Sequence, residues 1–154
     1  VEILGRGPSA YGVLATAAGW GSLIGLAALI SVGDIRRRGR VILVMQLTYI
    51  FLVAIFAQSR VFELSLALLF AAGIFLVVST TLTNTLFQVV VTDEYRGRVM
   101  SLYTMSTGFQ FIGALPMGLA ISTWGAPAGV TLFMVIGGIT TLAVGILSPA
   151  LRRA

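Results

Sequence analysis

The chain has 154 residues, of which 58% are hydrophobic and 10% charged, with a formal net charge of +5. A soluble domain carries about 25% charged residues, so too few polar groups exist here to coat a water-facing surface, and lipid is the expected solvent. The lack of Cys and His excludes disulfides, the usual zinc sites and the common nucleophile–His arrangements, and the ten basic groups are arginines in short clusters rather than a basic face for nucleic acid.

A helix crossing a ~30 Å hydrocarbon core needs about 20 mostly apolar residues. Five segments satisfy this, at about 10–32, 41–57, 63–91, 99–123 and 128–148. The connections between them are short, so neighbouring spans run antiparallel. One all-α transmembrane domain with no separate soluble domain is predicted. The chain opens at Val1 with no signal-peptide pattern and is read as a fragment preceded by further sequence.

The first span is rich in small residues. Ala17, Gly21 and Gly25 recur at four-residue spacing, a small-xxx-small stripe that lets two backbones approach closely in lipid. Simple helix packing and a moving interface with another part of the protein are both open. The second span is aliphatic on most sides, with Gln46, Thr48 and Tyr49 as its main polar groups. It is expected to face lipid.

The third span is long and turns polar in its second half. Gly73, Thr80, Thr81, Asn84 and Gln88 fall within an arc of about 100° at helical periodicity. Amides in a span lose hydrogen bonds unless they face protein or water. Interhelical bonding and a substrate-cavity wall are the two readings. In the fourth span Tyr103, Thr107, Gln110, Ala114 and Gly118 share a face, and the same two readings apply. Pro116 is expected to kink this helix locally. The fifth span, with Gly137, Gly138, Thr140, Thr141 and Gly145, offers no site.

The turns carry the charge. Arg36, Arg37, Arg38, Arg40, Arg96, Arg98, Arg152 and Arg153 lie on one side of a five-span chain, against Arg6 and Arg60 on the other. The positive-inside rule places the first set in the cytoplasm and the N-terminus outside, in a cytoplasmic (inner) membrane. The 33–40 and 92–98 segments share a design, an acid followed by Arg-Gly-Arg. Asp93 or Thr92 is placed to cap the next helix. Asp34, Arg36, Arg40, Asp93, Glu94, Arg96 and Arg98 either merely hold topology or form a gate latch of ion pairs, such as Asp34 with Arg96 or Arg98. Exposed pairs contribute only ~0–1 kcal/mol each, which suits a latch that opens repeatedly.

Two stretches carry a family resemblance. Tyr11-Gly12 through Gly25, followed by Gly33-Asp34 and the arginines to Arg40, is similar to the eighth helix and following loop of major facilitator superfamily transporters. Asp93-Glu94-Tyr95-Arg96-Gly97-Arg98-Val99-Met100-Ser101 resembles the bacterial exporter branch, which includes enterobactin-exporter-like and transmembrane secretion effector proteins. Four residues separate Asp34 from Gly39, where the family motif has two before its Gly-Arg.

The resemblance implies helices 8–12 of a twelve-helix fold made of two halves, with the N-terminal half supplied by preceding sequence. It implies secondary active efflux of a small molecule (drug or siderophore type) by alternating access, driven by a proton gradient. Thr80, Asn84, Gln88, Thr107 and Gln110 would then line the substrate cavity. No cofactor, metal, catalytic residue or nucleic-acid partner is expected. A non-transporting membrane scaffold or assembly subunit is the rival reading.

Overall fold

The computed structural model describes residues 8–33, 35 and 38–147; within that range the side chains of Pro8, Ser9, Asp93, Arg96, Thr107 and residues 109–111 lie outside the description. Five helices account for nearly all of it: α1 (Pro8–Val32), α2 (Arg38–Gln58), α3 (Phe62–Val90), α4 (Asp93–Trp124) and α5 (Ala126–Leu147). The apolar side chains do not gather inside. Tyr11, Trp20, Ile30, Phe51, Leu115 and Leu147 are between 61% and 78% exposed. In water that surface would drive aggregation; in a bilayer it faces hydrocarbon. The protein is a multi-pass helical membrane protein.

Four helices are long and apolar enough to cross: residues 10–32 of α1, then α2, α3 and α5. The expectation of five spans is met only in part. Among the described residues of α4 the apolar stretch is Ile112–Trp124.

Two predicted boundaries are corrected. α4 begins at Asp93, six residues ahead of the expected 99, and α2 begins at Arg38 rather than 41. Asp93, Glu94, Arg96 and Arg98 therefore sit in the first turns of α4, not in a loop, and Arg40 sits in the first turn of α2. Acids are favoured at a helix N-terminus, where the aligned peptide dipoles leave partial positive charge. Thr92 occupies the position before α4 but makes no side-chain capping bond. Helix α4 runs through Pro116 without a break.

The packing follows the small residues. α1 lies along α3 in parallel, α2 fills the space between α3 and α5, and α4 touches mainly α5. The Ala17–Gly21–Gly25 stripe faces α3. A Cβ at Gly21 would strike the Phe70 carbonyl, and one at Gly25 would lie 2.9 Å from the Ile74 backbone. Gly73 answers from α3, where a Cβ would meet the Ala18 carbonyl. The Ser22 hydroxyl donates across the contact to the Gly73 carbonyl at 3.3 Å. This stripe is a packing seam within the chain, so the first of its two readings has direct support.

Helix α2 is more enclosed than a purely lipid-facing span, since most of its side chains are half-buried. Gln46 turns inward and accepts a 2.7 Å hydrogen bond from Ser79, which is 2% exposed. On the other side, Gly145 leaves room for Leu43, whose Cδ1 would lie 3.0 Å from an added Cβ. The Gln58 amide donates to the Thr131 hydroxyl at 3.1 Å, so α2 and α5 are antiparallel along their length. Between α4 and α5 the chain turns at Gly125, whose φ of 83° is a left-handed conformation that costs glycine little.

Candidate functional site

Helix α3 presents three different sides in its second half. Val78, Ser79 and Leu82 are buried toward the bundle. The side bearing Ile74 and Val77 meets α1 at Gly25. The third side carries Leu76, Thr80 and Phe87, all exposed, with Asn84 half-buried at its margin and Gln88 exposed beside it. Of the polar arc expected from the sequence, Thr80 and Gln88 are exposed, Thr81 and Asn84 are half-buried, and Gly73 is buried against α1.

Hydrogen bonding separates the polar groups on that arc. The Thr80 hydroxyl donates back to its own helix, to the Leu76 carbonyl at 2.9 Å and the Val77 carbonyl at 3.1 Å. Thr83 and Thr85 do the same with the carbonyls of Ser79 and Thr81. These threonines are largely satisfied locally. Among the described residues, neither the Asn84 nor the Gln88 amide has a hydrogen-bond partner. An amide inside a hydrocarbon layer without a partner would be costly.

Helix α4 stands next to that face. The rings of Phe87 and Tyr103 meet with centroids 5.3 Å apart and planes tilted by 53°. Beyond this contact, much of the first half of α4 is exposed, and its hydroxyls bond inward to their own backbone: Ser101 to Arg98 at 2.8 Å, Thr104 to Met100 at 2.9 Å and Ser106 to Tyr103 at 2.7 Å. The side chains of Thr107 and Gln110 lie outside the described residues. Tyr103 therefore supplies the direct link between the two polar helices. Sequence periodicity placed it on the α4 face but gave no sign of its ring partner.

The charged candidates are brought to one end. Alternating helices put the starts of α2 and α4 on the same side of the bundle. Arg40, Glu94 and Arg98 are exposed there. Asp34 and Arg36 lie outside the described residues, as do the side chains of Asp93 and Arg96, so no pairing across the two segments is assigned. No group of three or more His, Cys, Asp or Glu suited to a metal ion occurs among the described residues.

A cavity of about 750 Å³ opens at the opposite end, between the last turn of α2 and the α4–α5 turn, lined in part by Gln58, Arg60, Ile121 and Pro127. None of the sequence-predicted site residues borders it.

No family model, no curated protein and no solved structure matches this chain.

Proposed function

We propose that the chain is part of a secondary active transporter of small molecules, working by alternating access, with the open polar face of α3 and the polar half of α4 forming one wall of the translocation path. The observation that carries this reading is the pair of amides, Asn84 and Gln88, held within an apolar helix and without partners among the described residues. A second helical half facing them would complete a water-filled cavity and remove the cost of leaving them in hydrocarbon. On this reading α4 is a fifth span, its polar half shielded from lipid by the cavity.

The direction is efflux and the membrane is the cytoplasmic one, as the resemblance to bacterial exporters implies. Proton coupling has the same basis. The acids of the chain are Glu2, Asp34, Glu63, Asp93 and Glu94, none of them in the middle of a span, so a protonating carboxylate would belong to the facing half. The uncharged wall favours a neutral or delocalised solute. The exposed charges at the starts of α2 and α4 fit a gate that closes this end in one access state.

The test is dye accumulation in cells expressing the full-length polypeptide. Asn84→Leu is expected to weaken efflux about fivefold, the worth of one hydrogen bond of about 1 kcal/mol, with protein level unchanged. Gln110→Leu is expected to act in the same direction. Wild-type efflux from both variants would remove these residues from the path and favour a scaffold role.

A further inference from the structure

We propose that the cavity of about 750 Å³ between the end of α2 and the α4–α5 turn binds a small organic anion, an apolar body bearing one carboxylate or phosphate, with Arg60 holding the charge. The volume is that of a site for one drug-sized solute. Its lining divides by chemistry. Ala57, Ile121, Ala126 and Pro127 supply hydrocarbon, while Gln58 and Arg60 supply polar side chains. Arg60 lines the cavity itself, and among the described residues it has no ion-pair or hydrogen-bond partner. No carboxylate of the described residues borders the cavity. The acid nearest in sequence, Glu63 in the first turn of α3, is not part of its wall.

A short, anchored turn presents the charge. Residues 59–61 join α2 to α3. The Ser59 amide donates to the Ile55 carbonyl at 3.1 Å, which ties the turn to the end of α2. The Ser65 hydroxyl, 0% exposed, donates to the Val61 carbonyl at 2.9 Å and lies 3.1 Å from the Ser59 hydroxyl, which ties it to α3. Arg60 is therefore exposed on a backbone held from both sides. The Gln58 amide nitrogen gives one hydrogen to the Thr131 hydroxyl at 3.1 Å, and its second is placed to serve an oxygen of the ligand. A guanidinium suits a carboxylate or phosphate because its planar donors meet two oxygens at once. The adjoining hydrocarbon favours a ligand with an apolar body over a bare ion. A cation would meet Arg60 with like charge. The site involves neither the polar face of α3 nor the transport reading.

Isothermal titration calorimetry of the full-length polypeptide in neutral detergent, with hexyl phosphate as probe and protein-free micelles as reference, tests this. Hexyl phosphate is expected to bind at least about tenfold more tightly than hexyltrimethylammonium, which has the same tail and the opposite charge. Inorganic phosphate, which lacks the tail, is expected to bind more weakly than hexyl phosphate. Arg60→Gln is expected to lower the affinity for hexyl phosphate about tenfold. Arg38→Gln removes an equal charge at the other end of α2 and is expected to leave binding unchanged. Ala57→Phe fills the cavity from α2 and is expected to abolish binding. Unchanged helix content by circular dichroism verifies that the variants fold. Equal binding of the two hexyl compounds, unaltered affinity in Arg60→Gln, or an equal loss in Arg38→Gln would each overturn the proposal. So would tighter binding of dihexanoyl phosphatidylglycerol than of hexyl phosphate, which would give the site to membrane lipid.

Discussion

At the scale of single residues, glycine and serine do the joining. Gly73 lies so close to α1 that any side chain meets the Ala18 backbone. Gly73→Val is expected to cost about 1–3 kcal/mol, as overpacking does, read as a lower melting temperature in detergent. Gly113→Ala, with nothing within 4 Å of the added carbon, is expected to show no loss. The Ser79–Gln46 bond makes a second case. Ser79→Ala strands the Gln46 carbonyl at a cost of about 1 kcal/mol. Adding Gln46→Leu is expected to restore part of that stability; a further drop would show that Gln46 has another role.

The α1 stripe was legible in the sequence because three small residues at four-residue spacing have few other uses in lipid. The Ser79–Gln46 pair was not, since a lone serine and a lone glutamine on separate helices carry no mark of each other. The signal available was weaker: a glutamine in an otherwise aliphatic span needs a partner. Likewise the polar arc on α3 could be drawn from periodicity, but the sorting of its groups could not. Threonine can return its hydrogen bond to the preceding turn, as Thr80 does, while the longer amides of Asn84 and Gln88 do not.

At the scale of elements, helices and apolar runs differ where charge is favourable to the helix. Hydropathy locates where oil can begin. It does not locate where backbone hydrogen bonding begins, and acids near the N-terminus of α4 are stabilising there. Helix α4 is also the least embedded element: it meets α5 closely at Ala120, Ile121 and Gly129, and α3 through Tyr103. Amide hydrogen exchange is expected to be faster across 99–111 than across 70–82 of α3, because loosely packed segments open at lower free energy. Equal protection would mean that α4 is held by contacts along its whole length.

At the scale of the molecule, α1 runs parallel to α3 while the other contacting helices are antiparallel, and much of the outer surface is hydrocarbon. Whether α4 crosses the membrane decides between a five-span half-transporter and a four-span bundle with a surface helix. The chain contains no cysteine, so single-cysteine variants report one position each. Labelling of Arg37→Cys, Arg60→Cys, Gly97→Cys and Ala126→Cys in intact cells with a membrane-impermeant maleimide is the most direct measurement. Reaction at positions 60 and 126 with protection at 37 and 97 is the expected pattern. Positions 97 and 126 reacting alike would mean that α4 does not cross, and the proposed polar wall would fall with it.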